Sequence, residues 1–136
     1  MTSIPNPAQF ALAGNAVFTL QSLKTNARFT YKVRMAEDNL TMHFVSVLIG
    51  PDNQNDFRYF GFIRRGVFFH GGPKAKIGVD APSVKAFRWF WERQANGKPT
   101  PQLEVSHMGK CGKCGRPLTV PESIESGFGP ECRDKL

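Results

Sequence analysis

All three cysteines of this 136-residue chain lie after residue 110, at Cys111, Cys114 and Cys132. Cys111 and Cys114 have the two-residue spacing that lets one tight turn aim two thiolates at a single ion. Gly112 and Gly115 suit such a turn, because glycine accepts positive φ without steric cost. Seventeen residues separate Cys114 from Cys132, a loop length normal for zinc modules. A redox pair would open a helix after a strand, whereas this pair sits among Gly, Lys and Pro, which favour a turn. A closed structural site takes four ligands. His107, four residues before Cys111, is the nearest remaining donor. The expected site is one structural zinc ion held by His107, Cys111, Cys114 and Cys132. His43, His70, Glu104 and Glu131 are the other candidates for the fourth place. Four protein ligands leave no position for water, so the expected role is scaffolding.

The same run resembles a family of short zinc-binding domains known mainly from bacteriophage and bacterial proteins. Its pattern is Cys-x-x-Cys-Gly-Arg, then Leu-Thr-x-Pro-x-Ser, then Gly-x-Gly-Pro-x-Cys, with a His or Cys just upstream. The matches occur in order: Cys111, Cys114, Gly115, Arg116, Leu118, Thr119, Pro121, Ser123, Gly127, Gly129, Pro130 and Cys132. The resemblance covers residues 107–136. It implies a metal site and a phage or mobile-element setting, and carries no activity that can be transferred.

Upstream, residues 1–14 read as a loose arm with a helical turn near Ala8. Residues 16–20 suggest a short strand. Residues 28–34 alternate: Phe29, Tyr31 and Val33 point one way, and Arg28, Thr30, Lys32 and Arg34 the other, a half-buried strand of period two. Residues 42–49 are mostly apolar and β-branched, as a central strand would be. Turn-forming residues 50–56 follow. Residues 57–63 and 67–70 read as strands joined at Arg64-Arg65-Gly66, and residues 75–79 as a last one. At residue 80 the period changes. Asp80 or Ser83 can cap a helix with Pro82 in its first turn, and Val84, Phe87 and Trp91 lie along one stripe. Gly97 and Pro99 end it. The expected class is α+β: a twisted antiparallel meander of five or six strands packed by one helix over about 83–96. A zinc-ribbon or treble-clef-like module follows it. The boundaries drawn are 1–102 and 103–136.

The net charge of +7 is confined to one segment. Residues 57–98 hold nine Lys and Arg against Asp80 and Glu92, while the stretches on either side balance to zero. Arg58, Arg64, Arg65, Lys74 and Lys76 fall in neighbouring strands and turns, and Lys85, Trp89 and Arg93 are spaced four apart on the helix. Cations displace counterions from a polyphosphate, and a flat ring stacks on a base. The expected function is nucleic-acid binding with little sequence selectivity, in a small phage-type zinc-binding accessory protein. The alternative is a protein-interaction module docking on a host or defence protein. Recognised catalytic motifs are absent, so no enzyme activity and no small-molecule substrate are expected. No apolar run approaches the ~20 residues of a membrane span. The N-terminus lacks the basic and apolar regions of a signal peptide. An odd number of cysteines in a metal-type cluster suits a reducing bacterial cytoplasm.

Overall fold

A computed structural model describes residues 2–134. Met1, Lys135 and Leu136, the outermost residues of the two expected segments, lie outside it. In chain order the elements are β1 (Thr2–Ser3), α1 (Pro7–Ala11), β2 (Asn15–Ser22), β3 (Arg28–Met35), β4 (Met42–Leu48), β5 (Phe57–Arg64), β6 (Val67–His70), α2 (Pro82–Ala95), β7 (Leu103–His107), α3 (Pro121–Ser126) and α4 (Pro130–Asp134). The strands form one antiparallel sheet in the order β1-β7-β2-β3-β4-β5-β6.

Among the described residues the sheet therefore has seven strands rather than five or six, and three short helices, α1, α3 and α4, accompany α2. Residues 75–79 are not a strand. Gly72 takes a φ of +60° and Pro73 has no N–H to offer a ladder, so the chain leaves β6 through a 3-10 turn at Gly72–Lys74. The boundary drawn at residue 102 falls immediately before β7, a strand of the same sheet. Leu103, Val105 and His107 face inward, and β7 is inserted between β2 and β1.

The alternation in β3 is realised as read: Tyr31 and Val33 are fully buried, and Arg28, Lys32 and Arg34 face the other side. Helix α2 lies across the buried side and lays Val84, Phe87, Phe90 and Trp91 on it. Phe87 stands 5.1 Å from the Tyr31 ring and Phe90 5.9 Å from Phe18. Two polar contacts fix the helix on the sheet. The Tyr31 hydroxyl donates to the Ser83 carbonyl at 2.6 Å, and Trp91 Nε1–H donates to the Gly66 carbonyl at 2.9 Å. Neither Asp80 nor Ser83 caps α2. Ala81 holds the N-cap position, Pro82 fills the first turn, and Ser83 is buried against the sheet. At the other end Gly97 (φ +68°) lets its own N–H reach Gln94 O and that of Lys98 reach Arg93 O, a Schellman closure.

One irregularity governs β5. Its pairing with β4 shifts between Val45 and Ser46: Gly61 lies opposite Val45 but Tyr59 opposite Ser46, and Phe60 is the extra residue. The bulge resets the alternation, so Phe60 and Ile63 are both buried although three residues apart. It also sends Phe57, Tyr59, Phe62 and Arg64 to the face opposite α2. Gly61 has to be bare, because a Cβ there would stand 2.6 Å from both the Phe68 ring and the Phe69 carbonyl oxygen.

Candidate metal centre and the open sheet face

Beyond β7 the chain turns back through residues 110–117, closed by Cys111 N–H to Arg116 O, Gly115 N–H to Cys111 O and a bridge between Lys110 and Pro117. Gly115 takes a φ of +79° at the corner. Cys132 arrives from the first turn of α4. The three Sγ atoms all lie within 4.8 Å of one another. Thiolates at Zn–S ~2.3 Å around a tetrahedral ion stand about 3.8 Å apart, so this grouping fits a metal with little adjustment. Backbone N–H groups of Lys113 and Gly129 each point at Cys111 Sγ from 3.4 Å. Burial alone would push the Cys111 thiol up. Hydrogen bonds from the Cys114, Gly129 and Lys113 backbones and the Cys114 thiol outweigh it and bring it down to about 7. Cys132 is pushed up to about 11, by burial first and then by the two neighbouring sulfurs. A bound ion would deprotonate all three.

Residues 102–136 match the model of a family of unknown function, DUF6011. Comparison with curated proteins and with solved structures gave no match. The DUF6011 segment begins one residue before β7, so the matched unit includes the strand as well as the cysteine loop.

His107 does not join the thiols. Its ring is fully buried, with both nitrogens engaged: Nδ1 accepts from the Gly109 N–H at 3.0 Å and Nε2–H donates to Ile124 O at 2.6 Å. The imidazole fastens β7, the cysteine loop and α3 together. His70 repeats the arrangement at the end of β6, accepting from the Gly72 N–H and donating to Ile77 O. Both read His-x-Gly in sequence, and positive φ at the glycine turns its N–H back onto the imidazole. His43 is buried beneath α1, its Nε2 bonded to Leu12 O, and Glu104 is exposed on β7. Of the sequence candidates only Glu131 lines the cavity of about 500 Å³ around the cysteines, with Arg116. A His107→Gln variant is expected to lose about 2–3 kcal/mol of stability and still bind one metal ion per folded chain. Thermal melts and metal analysis check this, and a folded variant without metal would return the imidazole to the coordination shell.

The cations do not gather into one patch. Lys85, Trp89 and Arg93 ride on α2, on one side of the sheet. Arg93 stacks 5.1 Å from the Trp89 ring and donates to Pro99 O, so both are held by their own helix end. Arg58 turns back to the carbonyls of Asn55 and Phe57. Arg65 occupies the β5–β6 turn and Lys76 the exposed stretch after β6. Arg64 and Lys74 belong to the other side of the sheet. No helix packs there among the described residues, and a groove of about 990 Å³ runs over β3, β4 and β5. Phe44, Phe57, Tyr59 and Phe62 line it together with Lys32, Arg34 and Lys74. Lys32 sits 5.8 Å over Phe57 and Arg34 5.7 Å over Phe44. An exposed antiparallel face normally carries polar residues; here aromatic and cationic side chains replace them, and no carboxylate lines the groove.

Proposed function

We propose that the protein binds nucleic acid through this open sheet face, with little sequence selectivity, and that one structural zinc ion fastens its C-terminal segment. The observation that carries the binding reading is the composition of the groove: four aromatic rings and three cations without an acid. Cations neutralise phosphates and rings take bases, a pairing that suits a polynucleotide better than a purely acidic or purely apolar partner. Among the described residues no helix stands on that face, so base-edge readout by a recognition helix has no vehicle there.

Zinc is the ion that three thiolates at this spacing suit best among common biological metals. Cys111, Cys114 and Cys132 would hold it. The fourth position falls to a group in the adjoining cavity, where Glu131 is the available carboxylate. When bound, the ion supplies a cross-link between the cysteine turn and α4. Free thiols in this cluster accord with a reducing cytoplasm, and the sequence resemblance accords with a phage or mobile-element protein.

Fluorescence anisotropy with labelled oligonucleotides tests the binding reading. Three phosphate contacts, one each for Lys32, Arg34 and Lys74, predict an affinity that falls roughly 20–40-fold between about 50 and 200 mM salt. Absence of binding at the lower salt would refute it. The second reading, docking of a host or defence protein, is favoured by one feature. Val67 and Phe69 are 54% and 45% exposed on β6, which ends the sheet order and could accept a strand.

A further inference from the structure

The groove has a floor and two walls. Phe44, Tyr59 and Phe62 lie on adjacent strands β4 and β5 and form the floor. Lys32 and Arg34 rise from β3 on one side. On the other side the 3-10 turn after β6 brings Lys74, and Gly71 leaves room for the Tyr59 ring, which a Cβ would meet at 2.8 Å.

Resting on the nucleic-acid reading above, we infer that the ligand is a single strand, laid along this groove with its bases on the aromatic floor and its phosphates against Lys32, Arg34 and Lys74. In a duplex every base face is already covered by its neighbours, and the phosphates form the outer, convex surface. Rings recessed between two walls could not reach those base faces, so a duplex would use only the cations. A single strand can turn its bases downward onto the rings while keeping its phosphates at the rims. Phe62 already stacks with Phe69 at 5.3 Å and 26°, so its plane is held in place before a ligand arrives. Arg34 lies over Phe44 and Lys32 over Phe57, so each has to swing from its ring to a phosphate at the rim as a base takes its place. Preorganised rings lose little freedom on binding.

The experiment compares a labelled oligothymidine of about 12 nucleotides, within the range of single-strand sites, with a duplex of the same length at low salt. It is run on the wild-type chain, on a Phe44→Leu/Phe62→Leu variant and on a Lys32→Gln/Arg34→Gln variant, each first shown to melt as the wild type does. The expected result is tighter binding of the single strand, weakened roughly tenfold for each ring removed, and weakened for both probes by loss of the cations. Equal binding of the duplex, with the ring variant unaffected, would overturn the single-strand inference and leave nucleic-acid binding standing. Failure of both probes to bind would remove both readings and leave the face to a protein partner.

Discussion

Cys111→Ser, or treatment with a strong chelator, is expected to abolish stoichiometric metal binding and release the chain after residue 107 while β2 to β6 stay folded. The arithmetic is one-sided. Between residues 108 and 134 only Cys111, Gly112, Ser123, Gly127 and Phe128 are buried. So little apolar burial does not by itself offset the conformational entropy of holding the stretch in one conformation. A single Phe side chain returns about 3 kcal/mol at most. A structural metal site contributes on the order of 10 kcal/mol, and in a segment like this that free energy is folding free energy. Metal analysis should give one ion per chain before treatment and none after it. Hydrogen exchange should then show protection lost across α3 and α4 and kept in the central strands. Metal affinity should also fall as the pH is lowered, because protons compete for the thiolates. Cys132, whose thiol is held up at about 11 without metal, must release a proton to bind. Full protection of α3 and α4 in a metal-free chain would sink the metal reading.

Phe10→Ala should cost about 3–5 kcal/mol, the range for a large aromatic removed from a packed core, and lower the Tm by roughly 10–20 °C. Phe10 is fully buried where three parts of the chain meet. It lies 5.8 Å from the His107 ring at 25°, 5.6 Å from Phe128 and 6.4 Å from Phe18. Two glycines of the cysteine loop close over it. A Cβ on Gly112 would stand 2.7 Å from the ring and one on Gly127 2.9 Å. The variant should therefore loosen the loop that positions Cys111 and weaken metal binding together with the fold. A melt within about 3 °C of the wild type would show that the loop does not depend on this ring.

The expectation that residues 1–14 are a loose arm fails at this same ring. Five-residue α1 shows no amphipathic repeat long enough to read, and burial of Phe10 comes from the distant loop that closes over it. Where the sequence repeats a period, the structure follows it: the alternation of residues 28–34 gave the two faces of β3, and the stripe of Val84, Phe87 and Trp91 gave the face of α2. The cysteine cluster was legible because spacing alone restricts where two thiolates can point. His107 was not, since proximity along the chain says nothing about which way an imidazole faces in a strand. The clustering of charge in residues 57–98 was real in sequence and misleading in space, because β5 and α2 lie next to each other through the sheet but display their cations on opposite sides. Phe44 was hidden in a run that read as continuous core, and Tyr59 and Phe62 differ by three positions, which no strand of period two places on one side.

That last mismatch traces to Phe60. A single inserted residue acts in β5 as a frameshift does in a gene: upstream of it the odd positions look outward, and downstream the even ones do. The core and the groove are thus written in two registers of the same strand. Removing Phe60 would cancel that frameshift: Tyr59 and Gly61 would follow one another in unbroken alternation opposite Ser46 and Val45, Phe62 and Arg64 would keep their side of the sheet, and the core alone would lose a ring.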